Sequence, residues 1–248
     1  DLVTLAEARK AAPALTWNPE TISTPAKLGL QVLESIDLKA VAEFIDWTPF
    51  FHTWELTGYY PAIFKDANQG EQAKELFDDA QEMLKDLIDN KRLKLKAVYG
   101  CWPANSVGDD VVVKDPKSKE ELHRFHFLRQ QKVSGQSRKC LADYVASEES
   151  GLQDHIGAFA VTAGHEIEEY ASTFKNNNDD YRAIIIQALA DRFAEALAEW
   201  LHKQARDLWG FGAAETFTVD EMIKERYRSI RPAAGYPACP DHTEKEML

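Results

Sequence analysis

Apolar and polar residues repeat along this chain with a helical period in three long segments. In residues 71–90 the apolar positions form one stripe, and Asp and Lys residues occupy the opposite side, which predicts a long helix that covers a core. Helical spacing returns at residues 166–175 and again at residues 179–208. In the last segment large apolar residues recur four positions apart and alanines line the neighbouring faces. We therefore expect that helix to pack on more than one side.

Short β-rich runs between these helices predict a sheet. Gly, Pro and Asp residues separate them, and they cover residues 96–102, 110–113, 122–128 and 155–162. Residues 28–36 have a strand-like pattern and residues 38–44 have helical spacing. Regular β-α-β alternation is missing, and no Gly-x-Gly-x-x-Gly follows a strand. The predicted fold class is therefore α+β, with a twisted, predominantly antiparallel sheet flanked by long helices.

The chain ends in a predicted helix and a proline-rich loop. The helix is expected over residues 220–227, with Thr218 as its N-cap. In residues 230–245 three prolines and one glycine fix an extended, turning backbone. Arg231 and Tyr236 lie at the edges of this loop, and a guanidinium can bind a carboxylate through two hydrogen bonds. The loop is either a pocket for a small molecule with a carboxylate and a flat ring, or a plain connector with a surface arginine.

Charge and cysteine content narrow the possible partners and location. With 29 basic and 41 acidic residues the chain has a formal charge of −12, which argues against nucleic acid or an anionic membrane as a partner and suits a cationic ligand. No apolar run approaches the roughly 18 residues that span a bilayer. The three cysteines are odd in number and widely separated, which favours free thiols, a reducing compartment and a cytoplasmic location.

Seven short motifs follow one another along the chain. They are IDWTPFF at 45–51, PANSVGDD at 103–110, LRQQ at 128–131, LADYV at 141–145, IGAFAVT at 156–162, ALADRFAE at 188–195 and RPAAGYPACPDHTEK at 231–245. In content and order they resemble the S-adenosylmethionine-binding activation domain of cobalamin-dependent methionine synthase. The resemblance implies a single activation domain over residues 1–248, with a helical portion around residues 38–92. It also implies a chain truncated at its C-terminal end, because the family domain continues with a further segment.

The resemblance also implies a function. The domain would bind S-adenosylmethionine beside cobalamin carried by a partner module. Flavodoxin or a similar flavoprotein would reduce cob(II)alamin by one electron. The methyl group of S-adenosylmethionine would then pass to the reduced cobalamin and restore methylcobalamin. The chain would be a module of a methyltransferase of methionine biosynthesis, without catalytic residues of its own. The isolated chain is not expected to turn over. The alternative is a docking or scaffold domain for the cobalamin module and the reductase that binds no ligand itself.

Two charged residues carry the main site hypothesis. The resemblance implies that Asp46 binds the α-amino group of the ligand and that Arg231 binds its α-carboxylate. Together they would form a clamp for an amino-acid zwitterion. From the residues alone, Asp46 is equally well explained as the N-cap of a helix that begins near Pro49.

Further candidates surround this clamp. Gly235 and Tyr236 would shape the pocket, although Tyr236 can also be ordinary packing. Asp191 and Glu195 lie four residues apart on the long helix and are either a solvated face or, as the resemblance implies, a negative rim towards the ribose or the cobalamin module. Cys239 and His242 lack a second pair of ligands, so no metal site is expected.

Overall fold

The computed structural model describes residues 2–133, 137–164 and 166–247, and these ranges contain seven α-helices and five strands. The helices are α1 Leu5–Lys10, α2 Leu38–Ala42, α3 Thr48–His52, α4 Gly70–Asp89, α5 Glu166–Lys175, α6 Asp180–Trp209 and α7 Val219–Ile223. The strands are β1 Gly29–Leu33, β2 Leu95–Val107, β3 Asp110–Lys114, β4 Glu121–His126 and β5 Asp154–Ala163.

All five strands pair antiparallel, as predicted. The central strand is β2, which pairs with β5 along one edge and with β1 and then β3 along the other; β4 pairs with β3. Strand β2 is longer than the predicted run, because a polar side chain near its end forms hydrogen bonds inside the protein. The Asn105 amide donates to the carbonyl oxygens of Ala146 (3.1 Å) and Leu152 (2.8 Å), so polarity does not end the strand there.

The main core lies between the helices and the sheet, and α6 is its centre. Helices α2, α3, α4 and α5 and strand β5 all contact α6. Its fully buried large side chains are Ile185, Ile186, Leu189, Phe193, Leu197 and Leu201. Alanines on adjacent faces, such as Ala183 and Ala196, are also buried, which confirms that the helix packs on several sides. A second, smaller core lies at the far end of β2, between β3, β4 and the loops that contain Cys140 and Cys239.

Helix α7 begins where the sequence predicts and ends earlier. Thr218 is its N-cap, and its hydroxyl accepts the Glu221 N–H while the Glu221 carboxylate accepts the Thr218 N–H. The predicted end at Tyr227 is wrong, because Glu225 adopts a left-handed conformation with φ 54° that a helix cannot continue through. Across the residues that the structure describes, no helix has both the length and the apolar character needed to cross a membrane.

Candidate functional site

The chain between α7 and the proline-rich loop returns along the C-terminal half of α6. Tyr227, Ser229 and Arg231 each contact a residue of that helix half. Two residues of this return segment, Glu225 (φ 54°) and Ser229 (φ 115°), have left-handed backbones without being glycine. Such conformations cost about 1–3 kcal/mol each and persist only where surrounding contacts hold them. The contacts with α6 are therefore what place Arg231.

Arg231 forms an ion pair with Glu199 of α6. Its Nη2 donates to Glu199 Oε1, and the two side chains are 22% and 17% exposed. The Arg231 Nε is buried and has no hydrogen-bond partner among the described residues. The centre of the guanidinium lies 6.0 Å from the ring of Phe159 on β5. Arg231 thus has one nitrogen, Nη2, with a hydrogen-bond partner and one, Nε, without a partner among the described residues, and its side chain is partly exposed.

His202 of α6 contacts two hydroxyl groups of the return segment. Its Nδ1 lies 3.3 Å from the Tyr227 hydroxyl and its Nε2 lies 3.1 Å from Ser229 Oγ. Burial lowers the pKa of His202 to about 3, with further lowering by the charges of Arg231 and Arg206. A neutral imidazole has one donor and one acceptor, which suits two hydroxyl partners. His202 therefore holds the segment without adding charge beside Arg231.

Arg206 closes the buried side of this polar cluster. It is 3% exposed, and its Nε donates to Glu215 Oε2 at 3.0 Å. Its guanidinium carbon lies 4.0 Å from the centre of the Tyr227 ring, which is cation–π geometry. Arg206 thus packs against one face of the Tyr227 ring.

The carboxyl group of Glu199 lies in a mixed field. Burial raises its pKa, and the charge of Arg231 acts in the opposite direction. Glu225 and Glu195 raise the pKa further, while Arg206 lowers it. The site therefore brings together two cations and two acidic side chains around the half-buried carboxyl group of Glu199.

The proline-rich loop forms a tight turn at its centre. The Gly235 N–H donates to the Cys239 carbonyl at 2.8 Å, and the Cys239 N–H donates to the Tyr236 carbonyl at 2.9 Å. Gly235 has φ 100°, a backbone conformation that favours glycine, and a Cβ there would also displace the imidazole of the exposed His242. Tyr236 is 62% exposed, so it is not ordinary core packing.

Asp46 lies between α2 and α3. Its Oδ1 accepts the Thr48 N–H at 2.9 Å, so it caps the start of α3 from one residue before the geometric N-cap, Trp47. No hydrogen bond or ion pair among the described residues joins Asp46 to Arg231. Both elements that flank Asp46 pack on α6, which also carries the partner of Arg231.

Asp191 and Glu195 are exposed on α6, opposite the buried stripe of Ile185, Leu189 and Phe193. Glu195 is close enough to raise the pKa of Glu199, whereas Asp191 has no such effect. A surface groove of about 590 Å³ lies over β1, β2 and β5, and none of the predicted site residues lines it.

Sequence reasoning missed Glu199, His202, Tyr227 and Ser229. A signal for Glu199 was present, because Asp191, Glu195 and Glu199 recur every four residues and therefore lie on one helix face. The contacts of the other three residues depend on how the return segment folds back, which spacing does not reveal.

Comparison with known proteins decides the family. Residues 37–248 match the family described as vitamin B12 dependent methionine synthase, activation domain. The chain belongs to this family. A solved structure described as the MetH reactivation domain bound to AdoHcy is 45% identical, with a TM-score of 0.91; the match covers 99% of this chain and 76% of that one.

The activation-domain assignment confirms the family resemblance and the α+β fold. Vitamin B12 dependent methionine synthase is a methyltransferase, so this activation domain is matched to a module of an enzyme whose cobalamin belongs to another module. Individual ligand contacts remain predictions at Asp46, Arg231, Gly235, Tyr236, Asp191 and Glu195.

Proposed function

We propose that this activation domain binds S-adenosylmethionine by its amino-acid end and presents the sulfonium methyl group to cobalamin on another module. The observation that carries the proposal is Arg231, a partly exposed guanidinium with a buried Nε that lacks a partner among the residues described. An unsatisfied buried donor is costly, and a ligand carboxylate would supply the acceptor. The related solved structure holds AdoHcy, the demethylated product of S-adenosylmethionine, which has the same amino-acid group.

The remaining candidates take complementary roles in this proposal. Asp46 has one carboxylate oxygen committed to Thr48, and the other oxygen would accept the ligand ammonium. Gly235 and the exposed Tyr236 would shape the pocket for the flat part of the ligand. Asp191 and Glu195 would form a negative rim towards the ribose hydroxyls or the cobalamin module.

The contribution of this chain is binding and orientation. When bound and reduced by one electron from flavodoxin or a similar flavoprotein, cobalamin supplies the nucleophile that accepts the methyl group. Arg231 and Asp46 would hold the two charges of the amino acid, which fixes the direction of the sulfonium methyl. The acidic side chains around Glu199 would favour a cationic ligand over a neutral one. The isolated domain would not turn over.

Calorimetric titration with S-adenosylmethionine tests this function. The wild type should bind saturably, and Arg231→Gln should weaken binding at least about tenfold, because truncating one partner of a buried charge pair costs about 2–5 kcal/mol. Arg226→Gln is the matched control, since Arg226 is an exposed arginine five residues away, and it should change affinity less than about twofold.

Two outcomes would count against the proposal. Absence of binding by wild type with an intact circular dichroism spectrum would favour a docking domain without a ligand of its own. An unchanged dissociation constant for Arg231→Gln would remove Arg231 from the site.

A further inference from the structure

Arg231 already has an anionic partner within the chain. We propose that Glu199 is an internal counter-ion that occupies Arg231 until the ligand carboxylate replaces it, so that ligand binding and the release of Glu199 are a single exchange. This inference rests on the proposed function, in which Arg231 receives the carboxylate of S-adenosylmethionine.

The donors of the guanidinium give the exchange its geometric basis. A carboxylate binds a guanidinium through two parallel hydrogen bonds, either to Nε and Nη2 or to Nη1 and Nη2. Both arrangements use Nη2, and Nη2 is the atom that donates to Glu199 Oε1. Nε has no partner among the described residues, so the donor pair Nε and Nη2 is only partly used. A ligand carboxylate on Nε and Nη2 would therefore compete with Glu199 for the charge of the guanidinium and for Nη2.

The surroundings allow Glu199 to leave. Its side chain is 17% exposed, so the released carboxyl group is already at the edge of solvent. His202 and Tyr227 hold the return segment through contacts that do not involve Glu199. Arg231 therefore keeps its backbone position when its partner changes.

The exchange is linked to protons. The charged and titratable groups that act on Glu199 are Arg231, Glu225 and Tyr227 on the return segment, and Glu195 and Arg206 on α6. Burial, Glu225 and Glu195 already raise the pKa of Glu199, and Arg231 is the main group that opposes them. When a ligand neutralises Arg231, the pKa of Glu199 rises further and the carboxyl group takes up protons. Binding should consequently tighten as the pH falls.

Titration of five proteins with S-adenosylmethionine (wild type, three single variants and one double variant) separates this role from a positioning role. If Glu199 competes for Arg231, Glu199→Gln binds about tenfold more tightly than wild type, a ratio that corresponds to ~1.4 kcal/mol. If Glu199 positions Arg231 instead, the same variant binds more weakly. The matched control is Glu168→Gln, which removes an exposed glutamate of α5 and should bind like wild type. In the Arg231→Gln background, Glu199→Gln should have no effect, because its competitor role needs the guanidinium.

Proton uptake provides a measurement that needs no variant. Wild type is titrated in two buffers of different ionisation enthalpy at about pH 6, and the difference in heat gives the protons taken up on binding. Uptake in wild type, absent in Glu199→Gln, is the expected result. Weaker or unchanged binding by Glu199→Gln, or no proton uptake by a wild type that does bind, would overturn the exchange. Failure of wild type to bind at all would instead overturn the proposed function, and the exchange with it.

Discussion

Folding strongly changes the acid–base chemistry of His202. Its ordinary pKa of 6.5 falls to about 3, first because burial disfavours the charged ring and then because Arg231 and Arg206 repel it. Between these two values the unfolded chain binds a proton that the folded chain does not. The contribution of His202 to stability is therefore complete above about pH 6.5, the unfolded pKa, and is lost as the pH falls towards 3.

Replacing His202 should flatten the acid side of the stability profile. In wild type this one group lowers the free energy of unfolding by up to ~1.4 kcal/mol for each pH unit below about 6.5, and His202→Gln removes that slope. Urea unfolding between about pH 4.5 and 7, followed by tryptophan fluorescence, measures it. His52→Gln, a change at an exposed histidine, should keep the wild-type slope. Identical slopes in all three proteins would show that His202 is not buried as a neutral ring.

At the scale of elements, one-sided apolar stripes made the long helices predictable. Helices α4 and α6 begin and end within one residue of the predicted bounds, and α5 covers the predicted residues 166–175. The end of α7 was not predictable, because it depends on the left-handed backbone at Glu225. Nor was the length of β2, because carbonyl groups of a distant segment satisfy Asn105. The local pattern of apolar and polar residues thus predicts where helices and strands lie, but it does not predict ends that depend on contacts with distant segments or on an unusual backbone conformation.

Two Thr–Glu capping boxes, one in α1 and one in α7, allow a matched test of whether α7 positions the site. Thr4 with Glu7 in α1 and Thr218 with Glu221 in α7 make the same reciprocal hydrogen bonds. Alanine at either threonine should cost about 1 kcal/mol locally. Only Thr218→Ala should weaken S-adenosylmethionine binding, by a fewfold, because α7 leads into the segment that holds Arg231. Titration calorimetry compares the two variants, and equal affinities would mean that the return segment is placed by α6 alone.

At the scale of the whole molecule, the proline-rich loop could be predicted from the sequence, whereas the ion pair within the site could not. Proline and glycine spacing predicted a rigid loop with Arg231 at its edge, because those residues restrict the backbone locally. The ion pair of Arg231 with Glu199 joins residues 32 positions apart and depends on the fold. The clamp between Asp46 and Arg231 remains a prediction for the same reason.

The candidate site also connects the two cores of the protein. Arg231 lies against α6 of the main core, whereas Cys239, eight residues later, is buried in the second core. Between them the loop is fastened by the Leu141 N–H, which donates to the Ala238 carbonyl at 2.8 Å. Gly235 and Tyr236 thus lie between a residue held by the main core and a residue buried in the second core, and their position depends on both cores.

Disturbing the second core should therefore weaken ligand binding at a distance. Cys239 and Cys101 are both buried thiols, 6% and 2% exposed, and replacing either by serine buries a hydroxyl at a cost of roughly 1–3 kcal/mol. Cys239→Ser should also weaken S-adenosylmethionine binding severalfold, because the Cys239 backbone closes the turn that holds Gly235 and Tyr236. Cys101→Ser, in the middle of β2, should lower stability alone. Urea unfolding and calorimetry on both variants separate the effects; if both lose affinity in proportion to lost stability, the loop has no separate anchor in the second core.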